Sequence, residues 1–100
     1  MARRTSDRAV RTLLDRYRAA ARANDWEACS LAVAQLYREN LEGRVLAELI
    51  YADGYAREHR GDTYNARRCH ELAASKGQAK AKHRLIALGG ALPPVPPTRH

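Results

Sequence analysis

Cys69-His70-Glu71 is the one place in the chain where a thiol, an imidazole and a carboxylate stand together. These are the parts of a nucleophilic cysteine site. Their adjacency argues against that use, because neighbouring helical positions point about 100° apart and do not face one another. Cys29 or Cys69 would have to meet a histidine through the fold, and a buried cysteine packing as a small hydrophobe is the commoner outcome. His70 reads the same way, as a core or interhelical residue. Four histidines and two cysteines are available as metal ligands, yet no HxxxH, CxxC or HxxE spacing falls on one helix, so no metal is expected. Gly89-Gly90 runs into prolines instead of opening a helix, and no lysine-serine or lysine-threonine follows a glycine run, which removes a phosphate loop. The chain is therefore read as non-enzymatic, with no catalytic residue and no cofactor.

What must position these residues is helical. The 100-residue chain is 45% hydrophobic, with no Phe, one Trp and one Met. Ala and Leu make up most of that share, and β-branched residues are scarce. Helix propensity and helical spacing agree, giving an all-α domain over residues 1–90. One cooperative unit fits this length. Residues 91–100 form a Pro-rich tail that favours extended polyproline II geometry. Its Pro93-Pro94-Val95-Pro96-Pro97 run has the PxxP spacing used by aromatic-lined grooves, although such tails commonly act as disordered spacers.

About five helices are expected, arranged as antiparallel hairpins. Thr5-Ser6-Asp7 offers caps for the first, whose apolar face holds Val10, Leu13, Leu14 and Tyr17. Asn24-Asp25 breaks and recaps the chain before a second helix from about Trp26 to Arg38, which buries Ala28, Leu31, Ala32 and Leu36. Val45, Leu46, Leu49 and Ile50 line a third, with Gly54 interrupting or ending it and residues 55–60 read as a loop or loose last turn. A fourth runs from about Asp62 to Ser75 with Ala66, Cys69, His70, Ala73 and Ala74 inward, and Gly77 caps it. A fifth covers about Gln78 to Leu88. Trp26-Glu27-Ala28 and Tyr64-Asn65-Ala66 align as a weak internal repeat, each just after a turn carrying an aspartate, at a spacing inside the helical-repeat range.

The formal net charge is +7, which makes nucleic acid, an acidic protein or an anionic surface a plausible partner. Residues 1–22 hold seven arginines against two aspartates, the middle of the chain is acidic, and residues 57–84 are basic again. Solvated helix faces account for most such charge. Two distant cysteines build no disulfide framework, Arg3-Arg4 is followed by no apolar run, and no segment is apolar enough for a membrane span. A cytoplasmic protein is expected, and its Ala and Arg richness points to a bacterial source.

Residues 43–89 resemble a Sel-one-like repeat of the tetratricopeptide superfamily, through Ala47, Leu49, Tyr51, Gly54, Asp62, Ala66, Ala73-Ala74, Gly77, Ala79, Ala81 and Leu85. Cys69-His70 stands where that family has two aromatics, and Ile50 where a small residue is usual. Residues 13–36 are similar to the general tetratricopeptide hairpin through Leu14, Tyr17, Asn24-Asp25-Trp26, Ala28 and Leu36. The resemblance implies a short α-solenoid that binds protein partners without catalytic residues.

Two functions follow. In the first, the chain is an adaptor or inhibitor of a bacterial protein, with Tyr51, Tyr55, His59 and Tyr64 near the rim of a groove. In the alternative, Arg4, Arg8, Arg11, Arg67, Arg68, Lys80, Lys82 and Arg84 contact nucleic-acid phosphates. A homodimer is a further expectation, since stacked hairpins need neighbours or caps.

Overall fold

A computed structural model describes residues 7–89. They form five consecutive helices: α1 (Asp7–Arg22), α2 (Trp26–Tyr37), α3 (Gly43–His59), α4 (Thr63–Ser75) and α5 (Ala79–Ala87). Each packs mainly on the next in sequence. Leu13, Val33, Leu36 and Leu49 join α1, α2 and α3 in one core cluster, while Ile50, Ala73, Ala74, Ala81 and Leu85 join α3, α4 and α5 in another. Helix α3 belongs to both. No described helix is long and apolar enough to cross a membrane. Arg4 and the Pro-rich tail lie outside the described residues.

The inter-helix turns are built from short polar signals. Asn24 takes a left-handed backbone at φ 59°, and the Asp25 side chain then caps α2 by accepting from the Ala28 N–H at 3.1 Å. Gly61 at φ 86° and Asp62, accepting from the Asn65 N–H at 3.3 Å, do the same for α4. An aspartate so placed satisfies one of the N–H groups that a helix start leaves open. The backbone bonds repeat in step: Asn24 to Ala21 and Asp25 to Ala20 match Gly61 to Glu58 and Asp62 to Arg57. This register pairs Cys29 with Ala66, Val33 with His70 and Leu36 with Ala73, all buried. It differs by one residue from the alignment of Trp26 with Tyr64, because the aspartate cap, not the aromatic, is what recurs.

Gly54 does not end α3. The helix runs through it to His59, so residues 55–59 are helical instead of a loop. A Cβ at residue 54 would stand 2.8 Å from the His70 ring carbon Cε1 and 2.9 Å from the Cys69 Cβ. The glycine is there to let α4 approach. Two apolar placements also differ: Leu31 is 68% exposed and Val45 46%, whereas Cys29 and Val33 fill the inner side of α2. Helix α2 is apolar over most of its surface, so its periodicity fixes the inward face poorly.

Candidate interaction surface

Tyr51, Tyr55 and His59 recur at four-residue intervals along α3, which sets them on one stripe. Tyr51 and Tyr55 stack with ring centroids 6.1 Å apart, and Tyr55 meets His59 edge-on at 4.6 Å. Trp26 completes the row. As the first residue of α2, it lies where the antiparallel α3 ends, stacked on His59 at 4.1 Å and edge-on to Tyr55 at 5.6 Å. Aromatic pairs in these geometries contribute about 0.5–1.5 kcal/mol each beyond their buried area. The row is half-buried, with His59 exposed.

At its Tyr51 end the row enters a groove of about 310 Å³ whose sides include Leu14, Tyr17 and Arg18 of α1 and Lys80 of α5. Lys80 Nζ stands 6.0 Å from the centre of the Tyr51 ring. Tyr17 donates to the Ala52 carbonyl at 3.3 Å, which fixes α1 against α3. Burial pushes the phenols of Tyr17 and Tyr51 above their ordinary range, with neighbouring phenols adding to the shift. Both remain neutral donors.

Two polar clusters hold this surface in place. In the first, the Glu58 carboxylate accepts from both Nε and a terminal nitrogen of Arg84, and from His70 Nε2 at 2.7 Å. A carboxylate only accepts, so Nε2 carries the proton and Nδ1 is bare. Nδ1 has no hydrogen-bond partner. Burial pulls the His70 pKa down against the opposing pull of Glu58, and the ring is neutral near pH 7. Burial alone would raise Glu58, but the bonds from Arg84 and His70 outweigh it and hold its pKa below the ordinary value.

In the second cluster the nearly buried Asp53 accepts from Tyr37 Oη at 2.8 Å, Arg57 Nε at 2.9 Å and Cys69 Sγ at 3.5 Å. Arg57 also reaches the capping Asp62 at 3.1 Å. Residues 53 and 57 project from the side of α3 away from the aromatic row, at 100° per residue. Cys69 is pushed up to about 12, first by burial and then by the Asp53 charge, so it is a thiol and not a thiolate. Cys29 is raised as well, by burial and Asp25. Cys69 and His70 bond to different carboxylates on opposite sides of α3, as their helical phase requires. Among the described residues no group of three or more His, Cys, Asp and Glu is arranged to hold a metal.

No family model, curated protein or solved structure matches this chain.

Of the four residues expected at the rim, Tyr51, Tyr55 and His59 come together and Tyr64 does not. Tyr64 is 69% exposed and pairs instead with Arg68, which itself lines a second cavity with Tyr37, Arg57 and Leu72. The residues of the phosphate-contact set are dispersed. Arg8 and Arg11 are on α1, Arg67 and Arg68 on α4, and Lys80 and Lys82 on α5, all exposed. Arg84 is committed to Glu58. Sequence reasoning missed Trp26 as part of the row and missed both acidic hubs. An aromatic directly after an N-cap is a signal for the first, since that position abuts the end of an antiparallel neighbour. Asp53 and Arg57, four residues apart on one helix, are a signal for the second.

Proposed function

We propose that this protein is a non-catalytic protein-binding module, a short tetratricopeptide-like α-solenoid that captures a segment of a partner along the aromatic row of α3. The observation that carries the reading is the continuous stripe from Trp26 through His59 and Tyr55 to Tyr51, leading into the groove beside Lys80. Rigid aromatic rings supply contact area at small entropic cost and dominate binding energy at protein interfaces. The sequential packing of the helices and the recurrence of the aspartate-capped turn support the solenoid description. Arg18 and Lys80 on the groove, against Glu48 alone, favour an acidic or carbonyl-rich segment.

The test is affinity capture from a bacterial lysate with and without nuclease, washed at low and high salt. A discrete protein that survives nuclease and salt, and is lost with Tyr55→Ala and His59→Ala but kept with Tyr64→Ala, is the expected result. Recovery of nucleic acid alone, released steeply by salt, would replace this reading with phosphate binding by the basic helices.

A further inference from the structure

We propose that the groove at the Tyr51 end of the row, together with the cavity that adjoins it, holds an acidic segment of a partner protein by one large apolar side chain. The inference rests on reading this face as a peptide-binding surface, and adds the chemistry of the ligand it takes.

The apolar part comes first. Helices α1, α3 and α5 all bring residues to the groove of about 310 Å³, where Leu14, Leu41, Val45 and Leu49 form much of the wall and Arg18 and Lys80 supply the cations. That volume lies at the lower end of the range of about 300–1,000 Å³ usual for ligand sites, which suits one large side chain better than a long stretch of chain. Val45 is 46% exposed, and Leu14 and Leu41 are only half-buried. Branched apolar surface therefore faces water here, although the spacing of Val45 along α3 is that of a core residue. A ligand side chain seated in the groove removes this surface from water.

The charges give the rest. A cavity of about 560 Å³ shares Glu48 and Gln78 with the groove, so the two adjoin. It adds Arg44 near the start of α3 and Lys76 at the C-cap of α4. Among the described residues Arg44, Lys76 and Lys80 form no ion pair, whereas Arg57 and Arg84 spend their charges on Asp53 and Glu58 inside the fold. Arg18 has only an exposed contact of 3.4 Å with Asp15. Glu48 is the single carboxylate that lines either space. Four cations against one anion select carboxylates beside the apolar anchor. A bare polyanion would meet the cations and leave the apolar wall uncovered, and a neutral apolar segment would do the reverse. An acidic segment with one apolar side chain answers both.

The probes are peptides Ac-Asp-Asp-X-Asp-Asp-NH2 with X as Leu, Met or Phe, titrated into the full chain carrying labelled methyl groups and followed by NMR. At least one should shift the methyls of Leu14, Leu41 and Val45 in a saturable way. The same peptide with Ser at X, or with serine flanks, should bind about tenfold more weakly. In a Lys76→Glu, Lys80→Glu variant, with circular dichroism confirming equal helicity, the preference should turn to lysine flanks around the same anchor. Absence of methyl shifts with all three acidic peptides would overturn the proposal. Equal binding of the Ser-centred peptide would overturn it as well, by leaving charge attraction alone, and stronger shifts from oligothymidylate would do so by assigning the groove to nucleic acid. Methyl signals that move with protein concentration before any peptide is added would give the groove to a second copy. The capture experiment separates the two levels: no peptide binding with capture still dependent on Tyr55 and His59 removes only this ligand chemistry, whereas peptide binding with capture indifferent to both removes the row as the partner surface.

Discussion

The His70 ring lies against the bare Cα of Gly54, and a single added methyl at residue 54 would stand 2.8 Å from one ring carbon and 3.0 Å from the unpartnered Nδ1. A mid-helix glycine costs about 1 kcal/mol relative to alanine. Here that cost is offset by the close approach that seats His70 beneath α3 and delivers its Nε2 to Glu58.

Gly54→Ala should therefore destabilise the protein in spite of its better helix propensity. Overpacking typically costs about 1–3 kcal/mol, and the propensity gain of about 1 kcal/mol works against it. A net loss of up to about 2 kcal/mol in urea denaturation is expected. In a His70→Ala background the penalty should shrink without disappearing, because the Cys69 Cβ at 2.9 Å remains in the way. A double-mutant cycle reads the coupling.

Acidification should weaken the same contact. Burial holds the His70 pKa below its ordinary 6.5. The unfolded chain therefore binds a proton that the folded chain refuses. This contribution to stability is fully present above pH 6.5 and is lost as pH falls below it. Glu58 acts in the same direction at lower pH, since its folded pKa lies below the ordinary 4.5. Thermal melting between pH 7.5 and 5 should show a falling Tm, and His70→Gln, which keeps a donor for Glu58, should flatten the upper part of that fall. A melting temperature that rises toward pH 5 would contradict the buried neutral ring.

The Asp53 hub gives a graded pair of outcomes. Tyr37→Phe removes one donor and leaves two, and should cost about 1 kcal/mol, the usual net value of one hydrogen bond. Asp53→Asn turns an amide N–H₂ toward donors that need an acceptor, and should cost about 2–3 kcal/mol by leaving partly buried groups unpaired. Chemical denaturation of the two variants and their double mutant would show sub-additive losses, because both act on one network.

Much of the fold was legible in the residues because capping is local. Asp25 and Asp62, with Asn24 and Gly61 before them, mark two helix starts by short-range rules alone, and the inward set Ala66, His70, Ala73 and Ala74 follows from helical spacing. Gly54 is ambiguous in sequence for an identifiable reason: a glycine that stops a helix and one that admits a neighbour look alike until the neighbour is in place. Tyr64 departs from the rim because the Asp62 cap sets the register of α4 and leaves Tyr64 exposed. Arg84 looked like a free basic residue since its partner Glu58 is 26 positions away. No periodicity within one helix reveals an ion pair between two.

The cysteines offer a last prediction that bears on chemistry. A thiolate is the reactive form of cysteine, and Cys69 is pushed up to about 12 by burial and by Asp53, against an unperturbed value near 8.5. Its thiolate fraction at neutral pH is then far below that of a free cysteine. Cys29 is fully buried and donates toward the Tyr17 carbonyl at 3.7 Å. Cys29 should label with a thiol-exchange reagent only as fast as the helices open, at a rate that rises with urea in step with local unfolding, whereas the half-buried Cys69 should label slowly because its thiolate is scarce. Asp53→Asn should quicken Cys69 selectively, both by removing the charge that disfavours the thiolate and by loosening α4. Rapid labelling of Cys69 in the native protein, insensitive to urea, would instead reveal an activated thiol and reopen the nucleophilic reading of Cys69-His70-Glu71.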